Sequence, residues 1–390
     1  MRIDKVSISN YRSLGDNVEI AFSQVNVLVG QNGAGKSNII DALAFLRDAV
    51  NLGLSQAILE RGGIASVRRH SDGKPYDVKV GVSLSAAGAQ ARYEITITSD
   101  RADEYRVKRE IADVKTNKGA WEFRRDQTWT SNLGIELPVG SGALALTALA
   151  GDERFSPIAE TLRGIATYAI FPDRLREPQK FDPEPLLKRQ GENWVSVLRA
   201  FERDDALKAR FMEGLQVLVP QLEDFRVQSA AGYLVAEFRR TSFGQRKGRW
   251  LPASLESDGT LRVAGLLTAM LQARQMTLLA IEEPELTIHP GALQLVYDYL
   301  MEAGHSAQVL VTSHSPEFLD HFEPVGADEN ADGAENPTAA RIYVVERHEG
   351  ATQLKAMEQT HLSAVRDHLM TLGEMLAQDQ LTFSFISNME

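Results

Sequence analysis

The sequence predicts an α/β nucleotide-binding domain split by an insertion, and three observations predict it. Near the N-terminus an apolar strand runs into a glycine-rich turn and then a helix-spaced apolar run, in "VGQNGAGKSNIIDALAFL", Val29 to Leu46. A second α/β stretch begins at Ser257, where a helix, the strand "MTLLAIEE", a helix from Pro290 and the strand "AQVLVTS" follow one another. Between the two, short alternating segments read as an antiparallel sheet.

Composition sets the outer bounds. The 390 residues can hold two average domains, or one large domain with insertions. A hydrophobic content of 43% with 24% charged residues is that of a globular protein. No stretch approaches 18 uninterrupted apolar residues, and "MRIDKVSISN" has charges where a signal peptide needs an apolar segment, so a cytoplasmic protein without membrane association is expected. The absence of cysteine excludes disulfides and thiolate metal sites, and the eight histidines have no zinc spacing. A formal charge of -11 argues against bulk attraction to nucleic acid and leaves DNA as an open, unsupported partner.

Taken in order, "RIDKVSI", "NVEIAF" and "VNVLV" read as strands, the last entering Gly30. A helix is expected from about Gly35 to Asn51, with Ile39, Ile40, Leu43 and Leu46 on one face. Residues 77–125 alternate in "YDVKVGVSLS", "ARYEITITS", "EYRVKREIA" and "AWEFRR", the inserted antiparallel β lobe. Gly134 to Gly151 is looser or helical ground. Residues 183–222 form a short helical insertion, with Trp194, Leu198, Phe201, Leu207, Phe211, Leu215 and Leu218 at helix spacing from Gly191 to Leu222. Pro183, Pro185 and Pro220 bracket it, so no long coiled coil fits. A strand pair follows in "FRVQSAAGYLVAEFRR", and the strand "RIYVVER" lies beyond the acidic loop "GADENADGAENPTA".

Four motifs carry chemistry. "GQNGAGKS", Gly30 to Ser37, matches G-x-x-x-x-G-K-[ST] and makes the domain a P-loop NTPase. Its glycines let successive backbone N–H groups face a phosphate, Lys36 reaches the outer phosphates, and Ser37 offers a hydroxyl to Mg²⁺. Gly30, Asn32, Gly33, Ala34, Gly35, Lys36, Ser37 and Asn38 are thus the candidate cradle for ATP at a helix N-terminus. "TLLAIEEPE" ends an apolar strand in two carboxylates, the place for a metal-holding residue, Glu282, and a water-polarising base, Glu283. His314, in "LVTSHSPEFL", follows another apolar strand, where a polar switch can contact a γ-phosphate. "LESDGTLR" puts Ser257, Asp258 and Gly259 at a helix start, the features of a second phosphate-binding surface.

Together these motifs resemble the heads of ABC-type ATPases, in the branch that includes SMC, RecF and OLD-like proteins. "ISNYRSL" looks like that branch's opening strand, "SDGTLR" its signature motif, "IEEPELTIHP" its Walker B and D-loop, and "TSHSPEFL" its switch-histidine segment. The resemblance covers residues 1–50 and 250–350 and is weaker between them. It is similar to compact bacterial ATPases without a long coiled coil or fused nuclease. It implies one ABC-ATPase-like head over 1–390, with residues 250–350 as its signature, Walker B and switch lobe. ATP is held between two subunits in such heads, so Ser257 and Gly259 act in trans on nucleotide bound by Lys36 and Ser37. Arg12 resembles a basic residue that contacts nucleotide, and a glutamine loop is expected within "FPDRLREPQKF", without singling out Gln179. Glu282 departs from the aspartate usual at its position.

The reading that follows is an ATP-hydrolysing, dimerising switch controlling a separately encoded effector, nuclease-like by analogy, or a DNA transaction, in phage defence or DNA maintenance. A transporter's nucleotide-binding subunit and a non-hydrolysing binding module are the alternatives. The basic clusters at 106–109, 124–125 and 239–249 are read first as solvated faces and second as a phosphate-binding strip.

Overall fold

The computed structural model describes residues 1–71, 73–99, 101, 104–134, 136–241, 248–326 and 339–381. Residues 242–247 of the third basic cluster and 327–338 of the acidic loop lie outside them.

A parallel sheet forms the centre. From edge to edge its strands are Glu323–Val325, Ala339–His348, Val25–Val29, Gln308–Ser313, Leu278–Glu282 and Ile165–Tyr168, with Ala351–Ala356 returning antiparallel beside Ala339–His348. "VNVLV" and "QVLVTS" are buried at every position because both faces are covered, so they read as continuous apolar runs. Alternation distributes their side chains between two cores. Val25, Val27, Val29, Leu279 and Ile281 enter one with the helices Trp194–Phe201, Asp258–Leu271 and Leu293–Gly304. Leu28, Leu278, Ala280 and Leu310 enter the other with the helix Lys36–Asn51.

The second core is closed by a seven-stranded antiparallel sheet in the order Val18–Ala21, Arg2–Ser9, Val78–Ala86, Ala89–Thr98, Arg106–Thr116, Gly119–Arg125 and Trp129–Ser131. The inserted strands therefore do not form a sheet of their own: Val78–Ala86 pairs with Arg2–Ser9. Buried Glu110 ties this sheet to the segment behind it, accepting hydrogen bonds from the Tyr93 hydroxyl and the Ala145 and Leu146 N–H groups. The helical stretch read from 191 to 222 is two helices, Trp194–Phe201 and Asp205–Leu218, the second capped by Asp204. A three-stranded sheet of Leu222–Ala230, Tyr233–Arg240 and Arg249–Pro252 follows and leads into the helix that Ser257 caps.

Gln308 joins the two sheet systems. Its buried amide accepts from the Ile3 N–H at 2.7 Å and donates to the Ile3 carbonyl at 2.8 Å and the Ser23 carbonyl at 3.3 Å. Gln308→Ala leaves these backbone groups without partners, and we expect a loss of about 3 kcal/mol, read as a lower denaturation midpoint.

Candidate functional site

The phosphate loop leaves the C-terminal end of Val25–Val29, the end of a parallel sheet where ligands bind. Gly33 and Gly35 have φ of 81° and 109°, which glycine adopts without strain. Crowding fixes two glycines as well: a Cβ at residue 30 would overlap the Val345 carbonyl, and one at residue 35 the Thr352 hydroxyl. Among the described residues no side chain caps the helix that starts at Lys36, and while the Asn38 and Ile39 N–H groups donate to the Gly35 carbonyl, the helix start is left to a ligand. Ser37 is exposed at its start, and Asn38 donates to Ser13 Oγ at 2.6 Å.

Lys36 is buried, and its ammonium donates to the carbonyls of Gly30 at 2.6 Å and Gln31 at 3.2 Å. Burial pulls its pKa below the ordinary lysine value, against the opposing pull of Glu283 and Glu285. The loop and the Walker B carboxylates therefore already interact across the site.

Glu283 has φ of 44°, a left-handed conformation that costs free energy for a residue with a side chain. Neighbours hold it there. Its N–H donates to the Thr312 carbonyl and hydroxyl, both at 3.1 Å, and its carbonyl accepts from buried Arg262 at 2.8 Å. His314 Nδ1 stands 3.3 Å from Glu283 Oε1 and 3.7 Å from Glu285 Oε1. Glu285 Oε1 accepts from Ser313 Oγ and the His314 N–H, while its buried Oε2 has no hydrogen-bond partner among the described residues. Glu282, one residue earlier, takes an ion pair from Arg189 at 2.7 Å.

Ser257 caps its helix, accepting from the Thr260 N–H at 3.2 Å, and is exposed. Asp258 is paired with Arg176, and Gly259 lies against the D-loop, where a Cβ would sit 3.1 Å from the Thr287 carbonyl. Arg12 is half-buried and binds Asp41 at 3.1 Å. The structure thus gathers Lys36, Glu283 and His314, with Glu282 beside them, and sets Ser257, Asp258 and Gly259 on a separate exposed helix start.

Sequence reasoning missed several residues. Thr352 hydroxyl bonds the Ala34 carbonyl and Ser13 Oγ, each at 2.7 Å, and so braces the loop from the far end of the chain; nothing in its surroundings signals this. Arg189 also lies outside any motif. Arg262 and Glu285 stood within quoted motifs but had no assigned contact. Gln179 is structural: its buried amide donates to the Arg174 and Gly191 carbonyls and accepts from the Val195 N–H.

Beside the loop, a cleft of about 460 Å³ runs between Gly30–Ala34, Val345–Arg347 and the C-terminal residues Leu376, Asp379 and Leu381. Gln31 donates across it to Asp379 at 3.3 Å.

This fold and site define a P-loop ATPase head of the ABC type, SMC- and RecF-like. The chain belongs to the family described as "AAA domain, putative AbiEii toxin, Type IV TA system", which it matches over residues 25–141 and 152–320. Local similarity links it to the DNA double-strand break repair Rad50 ATPase of Saccharolobus solfataricus, 54% identical over 46 residues, 12% of this chain and 5% of that protein. It also matches the DNA replication and repair protein RecF of Phocaeicola vulgatus, 35% identical over 89 residues, 21% of this chain and 24% of that protein. The matched stretches are thus small parts of these relatives. In fold, it resembles an Smc head bound to the C-terminal winged-helix domain of ScpA, with a TM-score of 0.52 and 17% identity over 93% of this chain and 99% of the other. A second Smc head with an extended coiled coil, from Pyrococcus furiosus, gives a TM-score of 0.51 and 13% identity over 94% and 99%.

Thr352→Val keeps the shape of the side chain and removes the hydroxyl that braces the loop. We expect roughly a five- to tenfold loss of ATP affinity with an unchanged fold, measured by titration with a fluorescent ATP analogue.

Proposed function

We propose that the protein binds and hydrolyses ATP, closes head to tail with a second copy around the nucleotide, and uses the cycle to control a separately encoded effector. The observation that carries hydrolysis is Glu283, held in a strained backbone conformation with its carboxylate 3.3 Å from His314.

In this reading Gly30, Asn32, Gly33, Ala34, Gly35 and Asn38 cradle the phosphates, and Lys36 exchanges its backbone carbonyl contacts for phosphate oxygens. Ser37 and Glu282 hold Mg²⁺, which supplies charge neutralisation at the phosphates when bound. The donors suit it: Ser37 is exposed at the helix start, and hard oxygen ligands are what magnesium takes, with water and phosphate completing the set. Glu283 polarises the attacking water and takes its proton, and His314 orients Glu283 and reaches the γ-phosphate. Arg12, ion-paired with Asp41 on the loop helix, contacts the nucleotide once it leaves that carboxylate.

Dimer closure is supported by the surface around Ser257. Leu255 and Leu286, apolar and 69% and 40% exposed, flank the serine in sequence and across the D-loop contact. A second copy presenting Ser257, Asp258 and Gly259 to the loop would cover them.

An effector is favoured over a bare DNA track by the formal charge of -11 and by internal pairs that hold four residues of the basic clusters: Lys108 with Asp77, Arg125 with Glu110, Arg239 with Glu223 and Arg240 with buried Glu256. The family's toxin–antitoxin description agrees with a defence setting. Among the described residues no helix is long and apolar enough to cross a membrane.

Glu283→Gln keeps the shape and hydrogen-bonding reach of the side chain but not its basicity. ATP binding should persist while turnover falls by a factor of about 100 or more, with an ATP-bound dimer accumulating in size-exclusion chromatography. Normal turnover would put the base elsewhere.

Ser257→Arg should leave ATP binding intact and block closure, and Lys36→Ala should abolish binding. Each parent is then inactive. In their heterodimer one site carries both lesions and the other neither, so mixing should restore ATPase activity. A Ser257→Arg chain that hydrolyses ATP at the wild-type rate as a monomer would refute the shared site.

A further inference from the structure

We propose that Arg189 is the positioning residue that makes Glu282 a working magnesium ligand, by holding one oxygen of its longer side chain and leaving the other for the metal site. This rests on the proposed ATPase reading.

The backbone delivers Arg189 to that place. Tyr168 pairs with Ile281 in the parallel sheet, so the next residue, Ala169, lies level with Glu282. The Ala169 N–H donates to the Arg189 carbonyl at 2.9 Å, continuing the ladder beyond the strand end. From there the guanidinium forks: Nη2 donates to Glu282 Oε1 at 2.7 Å, and Nη1 lies 3.5 Å from Asp41 Oδ1.

Asp41 is a fixed anchor. It is buried on the loop helix and bound by the Tyr11 hydroxyl at 2.5 Å, Arg12 at 3.1 Å and Arg61 at 3.3 Å. It also stands one turn after Ser37, and residues four apart share a helix face. Arg189 therefore spans from the face that carries Ser37 to the end of the strand that carries Glu282. A planar guanidinium with diverging donors suits such a bridge, and a flexible lysine does so less well.

This accounts for glutamate at residue 282. An aspartate reaches a metal with little freedom to lose, whereas a glutamate has one more rotatable bond, whose ordering costs free energy unless a partner fixes it. Arg189 is that partner. Groups that orient a metal ligand through a hydrogen bond commonly change metal affinity by 10- to 100-fold when removed.

The test uses the full chain with a fluorescent, non-hydrolysable ATP analogue, and reads the Mg²⁺ concentration that half-saturates tight nucleotide binding, with binding in EDTA as the control. Arg189→Ala should raise that concentration about tenfold and leave binding in EDTA unchanged, with Arg189→Lys in between. In a Glu282→Asp background, where the side chain is too short to need the tether, Arg189→Ala should add less than about twofold. An equal effect in both backgrounds, an unchanged requirement, or a lowered one overturns the proposal; the last would mean that Arg189 competes with the metal. A wild-type chain whose nucleotide binding ignores Mg²⁺ overturns the ATPase reading itself, and this inference with it.

Discussion

The tight passage of the phosphate loop past the chain's C-terminal hairpin is the constraint on which the site depends. At Gly30 the backbone lies against the Val345 carbonyl, and at Gly35 against the Thr352 side chain, each too close for any Cβ. Val345 and Thr352 belong to Ala339–His348 and Ala351–Ala356, and the first of these is the parallel neighbour of Val25–Val29. The loop's curvature is thus a tertiary property. Gly33 and Gly35 permit the turn, but the hairpin, with the hydroxyls of Ser13 and Thr352, decides which turn is made. A cradle fixed before its ligand arrives spends less of the binding free energy on ordering the backbone.

The same sheet separates two cores, and this governs what can move together. The loop helix packs with the antiparallel sheet, and the Ser257-capped helix packs on the opposite face of the parallel sheet. Arg262 crosses between the latter helix and the strand Leu278–Glu282, donating to the carbonyls of Glu282 and Glu283 from a buried position. Burial lowers its pKa, and the three nearby carboxylates counter that pull. A charge in such a place is stable only with its partners, so the helix start that bears Ser257 and the strained turn at Glu283 are mechanically joined.

The motifs were legible because they are local. A glycine turn between a strand and a helix, an apolar strand ending in carboxylates, and a serine at a helix start are each determined within about ten residues of chain. The antiparallel strands were legible for the same reason, through their period-two pattern. Partners distant in sequence were not legible. Thr352 braces a loop more than 300 residues away, and Arg189 reaches Glu282 through a sheet register that no single segment encodes. Residues 191–193, read as the start of a helix, are instead a turn in which the Asn193 side chain binds the Lys188 N–H and the Leu186 carbonyl, a local bond that competes with helix formation. Gln179 shows the converse. A glutamine in a suggestive neighbourhood turns out to be consumed by backbone groups, which its identity alone does not reveal.

Charge balance argues most directly for a nucleotide accompanied by a cation. Glu282, Glu283 and Glu285 crowd one end of the strand Leu278–Glu282, opposed by Arg189, Arg262 and Lys36. A polyphosphate entering the loop meets Lys36 and the uncapped helix start on one side and these carboxylates on the other. Glu285 Oε2 is already buried without a hydrogen-bond partner among the described residues. Once Lys36 turns to phosphate, it shields Glu283 and Glu285 less, and their repulsion of the incoming anion grows. The protein has no further lysine or arginine in the loop itself to offset that change. On the proposed reading the compensating positive charge arrives with the ligand as Mg²⁺, for which the exposed Ser37 hydroxyl and Glu282 are the hard oxygen donors.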